Sequence, residues 1–68
     1  MQLSARNQLR GKVTALNVDG LMAEVVIDVG GGNSLTSVIT RASANGLALK
    51  VGDTVMAVIK STEVLVAK

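Results

Sequence analysis

Apolar and polar positions alternate along much of this chain with the period of two that marks a strand buried on one face. The pattern is clearest from Leu21 to Val29. There Leu21, Ala23, Val25, Ile27 and Val29 form one apolar face, while Glu24 and Asp28 point the other way. Met22 and Val26 interrupt the polar face, which implies that it too is partly covered. Upstream, Gln8 to Leu16 reads as a first long strand with Gly11 as a bulge or bend. Asn17-Val18-Asp19-Gly20 then supplies Asp-Gly turn chemistry. Gly30-Gly31-Gly32-Asn33 makes the next turn, because glycines take positive φ without penalty. A phosphate cradle would need a helix and a lysine to follow, whereas Ser34 to Ile39 reads as a third strand. The hairpin reading is preferred.

Thr40 to Leu47 is the one helical candidate, about two turns long. Thr40 can cap it, Ala42 and Ala44 favour it, and Gly46 stands where a left-handed closing residue belongs. Gly52-Asp53 turns into a fourth strand from Thr54 to Lys60. Ser61-Thr62 breaks that strand, and Glu63 to Ala67 reads as a short fifth. Eleven valines beside three isoleucines favour strand throughout. The expected fold is therefore all-β: a five-stranded, OB-like Greek-key barrel with one short helix between strands 3 and 4.

Sixty-eight residues make one domain, spanning 1–68, too small to be comfortably stable alone. With no Cys and no His, neither a disulfide nor a typical structural zinc can support it, which leaves self-association. Val55 to Ile59 is apolar on both faces, so a second layer should cover it, most simply another subunit. That run is also the longest apolar stretch. At five residues it falls far short of the roughly 18 to 20 that cross a bilayer. Ser4 to Lys12 is polar and basic, no apolar signal core precedes it, and the expected location is cytoplasmic.

The chain holds no Phe, Tyr or Trp, which removes the stacking platforms that most single-stranded nucleic-acid binders and sugar or cofactor sites use. A net charge of +2 is compatible with a small anion and does not suggest a polyphosphate. Catalysis would have to rest on Asp19, Glu24, Asp28, Asp53 or Glu63, and only Glu63 adjoins a candidate cation in sequence. No metal-ligand spacing exists. A non-enzymatic binding protein is expected, with no cofactor and no metal cation.

Two segments carry candidate chemistry: Ser4-Ala5-Arg6-Asn7-Gln8 and Lys60-Ser61-Thr62. Each joins a fixed cation to side-chain hydrogen-bond donors and lacks a carboxylate, the mixture an enclosed oxyanion requires. Polar residues also commonly flank strands, and taken alone the segments fit either role.

Ser4-Ala5-Arg6-Asn7-Gln8-Leu9-Arg10-Gly11-Lys12-Val13, Ser37-Val38-Ile39-Thr40 and Ala57-Val58-Ile59-Lys60-Ser61-Thr62 resemble the molbindins, the small Mop proteins of the TOBE class. The likeness runs through nearly the whole chain, in order and with matching spacing. It implies an OB-like barrel that assembles as a homohexamer, a trimer of dimers, and stores molybdate or tungstate between subunits without chemistry. By that resemblance Ser4 and Arg6 come from one subunit, and Thr40, Ser43, Lys60 and Ser61 from its neighbour. It also implies a second kind of site near the threefold axis, whose residues the sequence does not place. No DNA-binding or nucleotide-binding unit is evident in the chain, which points to the reservoir role. Partners would then be other copies and the oxyanion, with neither nucleic acid nor membrane. Two alternatives stand beside this. A nucleic-acid-binding OB module would use Arg6, Arg10 and Lys12, and a purely structural oligomerisation module would use the apolar strands alone.

Overall fold

A computed structural model describes residues 3–68 of the chain. Four strands and one helix make up its regular structure: β1 (Asn7–Asp19), β2 (Met22–Gly30), β3 (Asn33–Thr40), α1 (Arg41–Gly46) and β4 (Thr54–Ile59). The strands form one curled antiparallel sheet in the order β3-β2-β1-β4. Three consecutive strands joined by hairpins, with a fourth returning beside the first, is Greek-key connectivity. The helix lies in the long return between β3 and β4, as the pattern indicated.

The fifth strand is not there. After β4 a single 3₁₀ turn covers Ser61–Glu63, and no ladder forms over residues 64–67. Strands persist only where a neighbour accepts their backbone groups, and the turn carries this segment away from its own sheet. Leu65 and Val66 are each 93% exposed. β3 and β4 consequently remain unpaired edges, and the barrel is open between them.

Several expectations shift locally. β1 continues to Asp19 because Asn17 and Val18 pair with Glu24 and Ala23, so the turn shrinks to Gly20 and Leu21. Leu21 accordingly leaves the apolar face and is exposed, while Ala23, Val25 and Ile27 are buried as the alternation required. The irregularity in β1 falls between Val13 and Ala15, not at Gly11. Gly11 serves a different need: a Cβ there would stand 2.5 Å from Ile27 Cγ2 and 2.6 Å from the Asp28 carbonyl oxygen. Between β2 and β3 the two turn residues Gly31 and Gly32 both take positive φ, the geometry that suits a tight hairpin.

Thr40 caps α1, its hydroxyl oxygen accepting the Ser43 N–H. Gly46, however, lies within the helix, and the residues of this loop with positive φ are Ala48 (φ 51°) and Gly52 (φ 98°). The loop is pinned to β1 by two backbone bonds, Val13 N–H to the Asp53 carbonyl and Gly52 N–H to the Val13 carbonyl. The core under the sheet is small: Val13, Val25, Ile27 and Ala57, with Leu16, Leu35, Ile39, Leu49 and Val55 packed at its margin.

Candidate functional site

The register of the β1–β4 ladder decides where the candidate cations go. Its last pair is Asn7 opposite Ile59, so Arg6 and Lys60 are the next residues out on adjoining strands. Ser4 and Ser61 lie just beyond them. The opening and closing segments thus share one end of the sheet, as a common anion pocket demands. Two residues of the opening motif hold the arrangement. Asn7 Nδ2 donates to the Ile59 carbonyl at 3.3 Å, and Gln8 Nε2 folds back to the Ala5 carbonyl at 2.9 Å. Sequence reading counted this Asn-Gln pair in the motif without assigning it this scaffolding role. Its position directly after Arg6, where the strand begins, was the available signal.

Thr40 and Ser43 form a second group. Thr40 Oγ1 donates to Ser43 Oγ at 2.8 Å while accepting the Ser43 N–H at 3.0 Å. In the ladder Thr40 pairs with Met22, which pairs with Asp19, so this group is tied to the other end of β1. The register of one chain therefore joins Ser4, Arg6, Lys60 and Ser61 at one sheet end, and Thr40 with Ser43 at the opposite one.

All six side chains are exposed. Among the described residues the one ion pair is Lys50 with Asp53, at 3.0 Å, so neither Arg6 nor Lys60 is neutralised by a carboxylate. Asp53 is committed elsewhere. It accepts the Lys50 side chain and the Lys50 backbone N–H, and that side-chain bond, with the backbone bond second, holds its carboxyl below the ordinary value of 3.8. No three carboxylates gather in a way that could hold a metal ion among the described residues.

One concavity is apolar and separate from the six. This groove, the most enclosed of the concavities rather than the most voluminous, is about 370 Å³ and lies between the open edges, lined by Leu35 and Ile39 of β3, Val55, Ala57 and Ile59 of β4, and Leu49. Thr40 borders only a shallow recess with Leu21, Ala42 and Asn45. No helix among the described residues is long and apolar enough to cross a membrane.

The chain is thus a small all-β domain, a curled antiparallel sheet of four strands with one short helix, that exposes cations and hydroxyls at its sheet ends. The TOBE domain family model matches residues 3–66, and the chain belongs to that family, in its molbindin (Mop) group. Molybdenum-pterin-binding protein 1 of Clostridium pasteurianum is 48% identical over 66 residues, covering 97% of each chain. A molybdate-binding protein from Sporomusa ovata superposes with a TM-score of 0.94 at 38% identity, covering 100% of both chains. ModG, described as a cytoplasmic molybdate-binding protein and solved with molybdate bound, superposes at 0.86 with 39% identity, covering 90% of this chain and 43% of its own. The relatives' names describe binding proteins.

Proposed function

We propose that this protein binds molybdate, or the closely similar tungstate, and stores it in the cytoplasm at sites shared between copies of the chain. One observation carries the reading. The ladder register sets Arg6 and Lys60 as the next residues out at one sheet end, with Ser4 and Ser61 near them in sequence and no carboxylate paired with either cation among the described residues, in a chain whose relatives are named for molybdenum binding. In the proposed pocket Ser4 and Arg6 of one copy meet Thr40, Ser43, Lys60 and Ser61 of its neighbour. Sharing accords with the register for Thr40 and Ser43, which it sets at the opposite end of β1 from Ser4 and Arg6, while drawing Lys60 and Ser61 from the neighbour rests on the family resemblance.

The chemistry suits a tetrahedral dianion. Arg6 and Lys60 neutralise two charges, and the hydroxyls rotate to meet oxygens without strict directionality. Sulfate has the same charge and shape, so cavity size discriminates against it. Phosphate retains a proton near neutral pH and needs an acceptor, which a shell of donors supplies poorly.

Self-association has its own support. The apolar groove between β3 and β4 lacks a strand, and the chain ends in an exposed apolar segment, Val64-Leu65-Val66, that has left its own sheet. The tail of a second copy fits this groove: it begins extended at Val64, and the unpaired edges offer it backbone partners. Met56 and Val58, exposed on the outer face of β4, add apolar surface for further copies to cover. We propose a homohexamer, a trimer of dimers.

A ligand that binds the assembled form alone stabilises it by mass action. Saturating molybdate, at about a hundred times Kd, is expected to stabilise the assembly by about 2.7 kcal/mol per site, with sulfate inert. Arg6→Ala should fold but lose that rise in melting temperature. An unimpaired response in Arg6→Ala would remove the proposed pocket.

A further inference from the structure

The residues proposed to hold the oxyanion include the two at which the chain leaves its own barrel. β4 ends at Ile59, Lys60 is extended (φ −62°, ψ 140°), and the direction of everything after it is set by the one turn Ser61–Glu63. That turn is lightly held. Glu63 N–H donates to the Lys60 carbonyl at 2.9 Å, Val64 N–H reaches the Ser61 carbonyl only at 3.4 Å, and no side chain caps it. Among the described residues no backbone hydrogen bond ties 65–68 to the sheet. The tail carries 93% exposed Leu65 and Val66, so its burial must come from outside its own fold.

We infer that the Lys60–Glu63 turn is a hinge that bound oxyanion locks, so that ligand governs how fast subunits exchange between assemblies. The inference rests on the reading above, in which Lys60 and Ser61 bind the anion and the tail docks on a second copy. A tail that swings out of its partner's groove while the two barrels stay in place must change the backbone angles of this turn. With the Lys60 ammonium and the Ser61 hydroxyl fastened to an anion that Arg6 of another copy also holds, that rotation must wait for ligand to dissociate. Short swapped segments are released through their hinge residues, and a hinge held by two backbone hydrogen bonds, one of them long, with no side-chain cap is open to such control. If the open hinge binds no ligand, exchange slows by the factor 1 + [L]/Kd, roughly a hundredfold at a hundred times Kd.

The test mixes ordinary and ¹⁵N-labelled protein and follows mixed assemblies by native mass spectrometry, without ligand, with molybdate and with sulfate. Alongside it, amide hydrogen exchange is read over residues 61–67. Molybdate should slow mixing by the stated factor and protect those amides, and sulfate should do neither. Two glycines inserted between Glu63 and Val64 uncouple the tail from the anion. The inserted chain should take up molybdate yet mix at the ligand-free rate. Stoichiometric uptake with unchanged mixing and unchanged amide protection would overturn the hinge while leaving the storage reading intact. Slowed mixing that survives the insertion would overturn it too, since ligand would then act through the interface at large. A ligand-free assembly that never mixes leaves nothing for ligand to lock and is equally fatal. Absence of any molybdate uptake by the unmodified chain would instead strike the storage reading itself. Should the inserted chain fail to assemble, amide protection in the unmodified protein decides.

Discussion

Individual residues here divide by whether their polar groups are already engaged. Asp53 is engaged on both sides by Lys50, which depresses its carboxyl pKa below 3.8 and fastens the turn that delivers β4. A carboxyl depressed by folding contributes stability that is complete above the unfolded value and disappears as pH falls through the folded one. Melting temperatures of Asp53→Asn and the unmodified chain should therefore differ at pH 6 and converge toward pH 2; a gap that widens on acidification would contradict the assignment. Arg6 and Lys60, by contrast, have no carboxylate partner among the described residues. The absence of Asp and Glu within Ser4–Gln8 and Lys60–Thr62 was readable from the motif, while Glu63, in the same turn as Ser61, makes no ion pair with either cation. What the motif did not reveal is that the Thr40 hydroxyl both caps α1 and donates to Ser43. Such a pairing depends on helix geometry three residues apart and on rotamers.

Among the elements, β2 was the most legible, because Ala23, Val25 and Ile27 alternate against Glu24 and Asp28 and the buried face follows directly. The two hairpins and the helix position were readable for the same local reasons. Gly11 was misread, since a glycine inside a strand signals either a bulge or a close approach, and only the neighbouring strand tells them apart. Here the neighbour is the Asp28 backbone, which cannot yield as a flexible side chain would. Gly11→Ala should therefore cost about 1–3 kcal/mol through overpacking, read as a lower urea midpoint with an unchanged m-value. A midpoint equal to that of the unmodified chain would place the contact elsewhere. The fifth strand was misread for a complementary reason. Val64-Leu65-Val66 has strand composition, yet a strand also needs an edge to pair with, and composition cannot say whose edge that is.

As a whole molecule the chain is unfinished on its own. Its fully buried apolar side chains are few and small, its barrel is open between β3 and β4, and its most exposed apolar residues lie in the segment that would complete a barrel. The short length and the absence of Cys and His had already pointed to partners, which remains a proposal. The open edges show where a second copy fits. The same end of the sheet that releases the tail carries Arg6, Lys60 and Ser61, so the proposed assembly and the proposed anion site meet in one place. Native mass spectrometry of the protein alone, with molybdate, and with molybdate against excess sulfate tests that junction most directly. A hexamer that takes up molybdate stoichiometrically and ignores sulfate is the predicted result. An assembly of any size that takes up no molybdate would contradict the account and leave an oligomerisation module without a ligand.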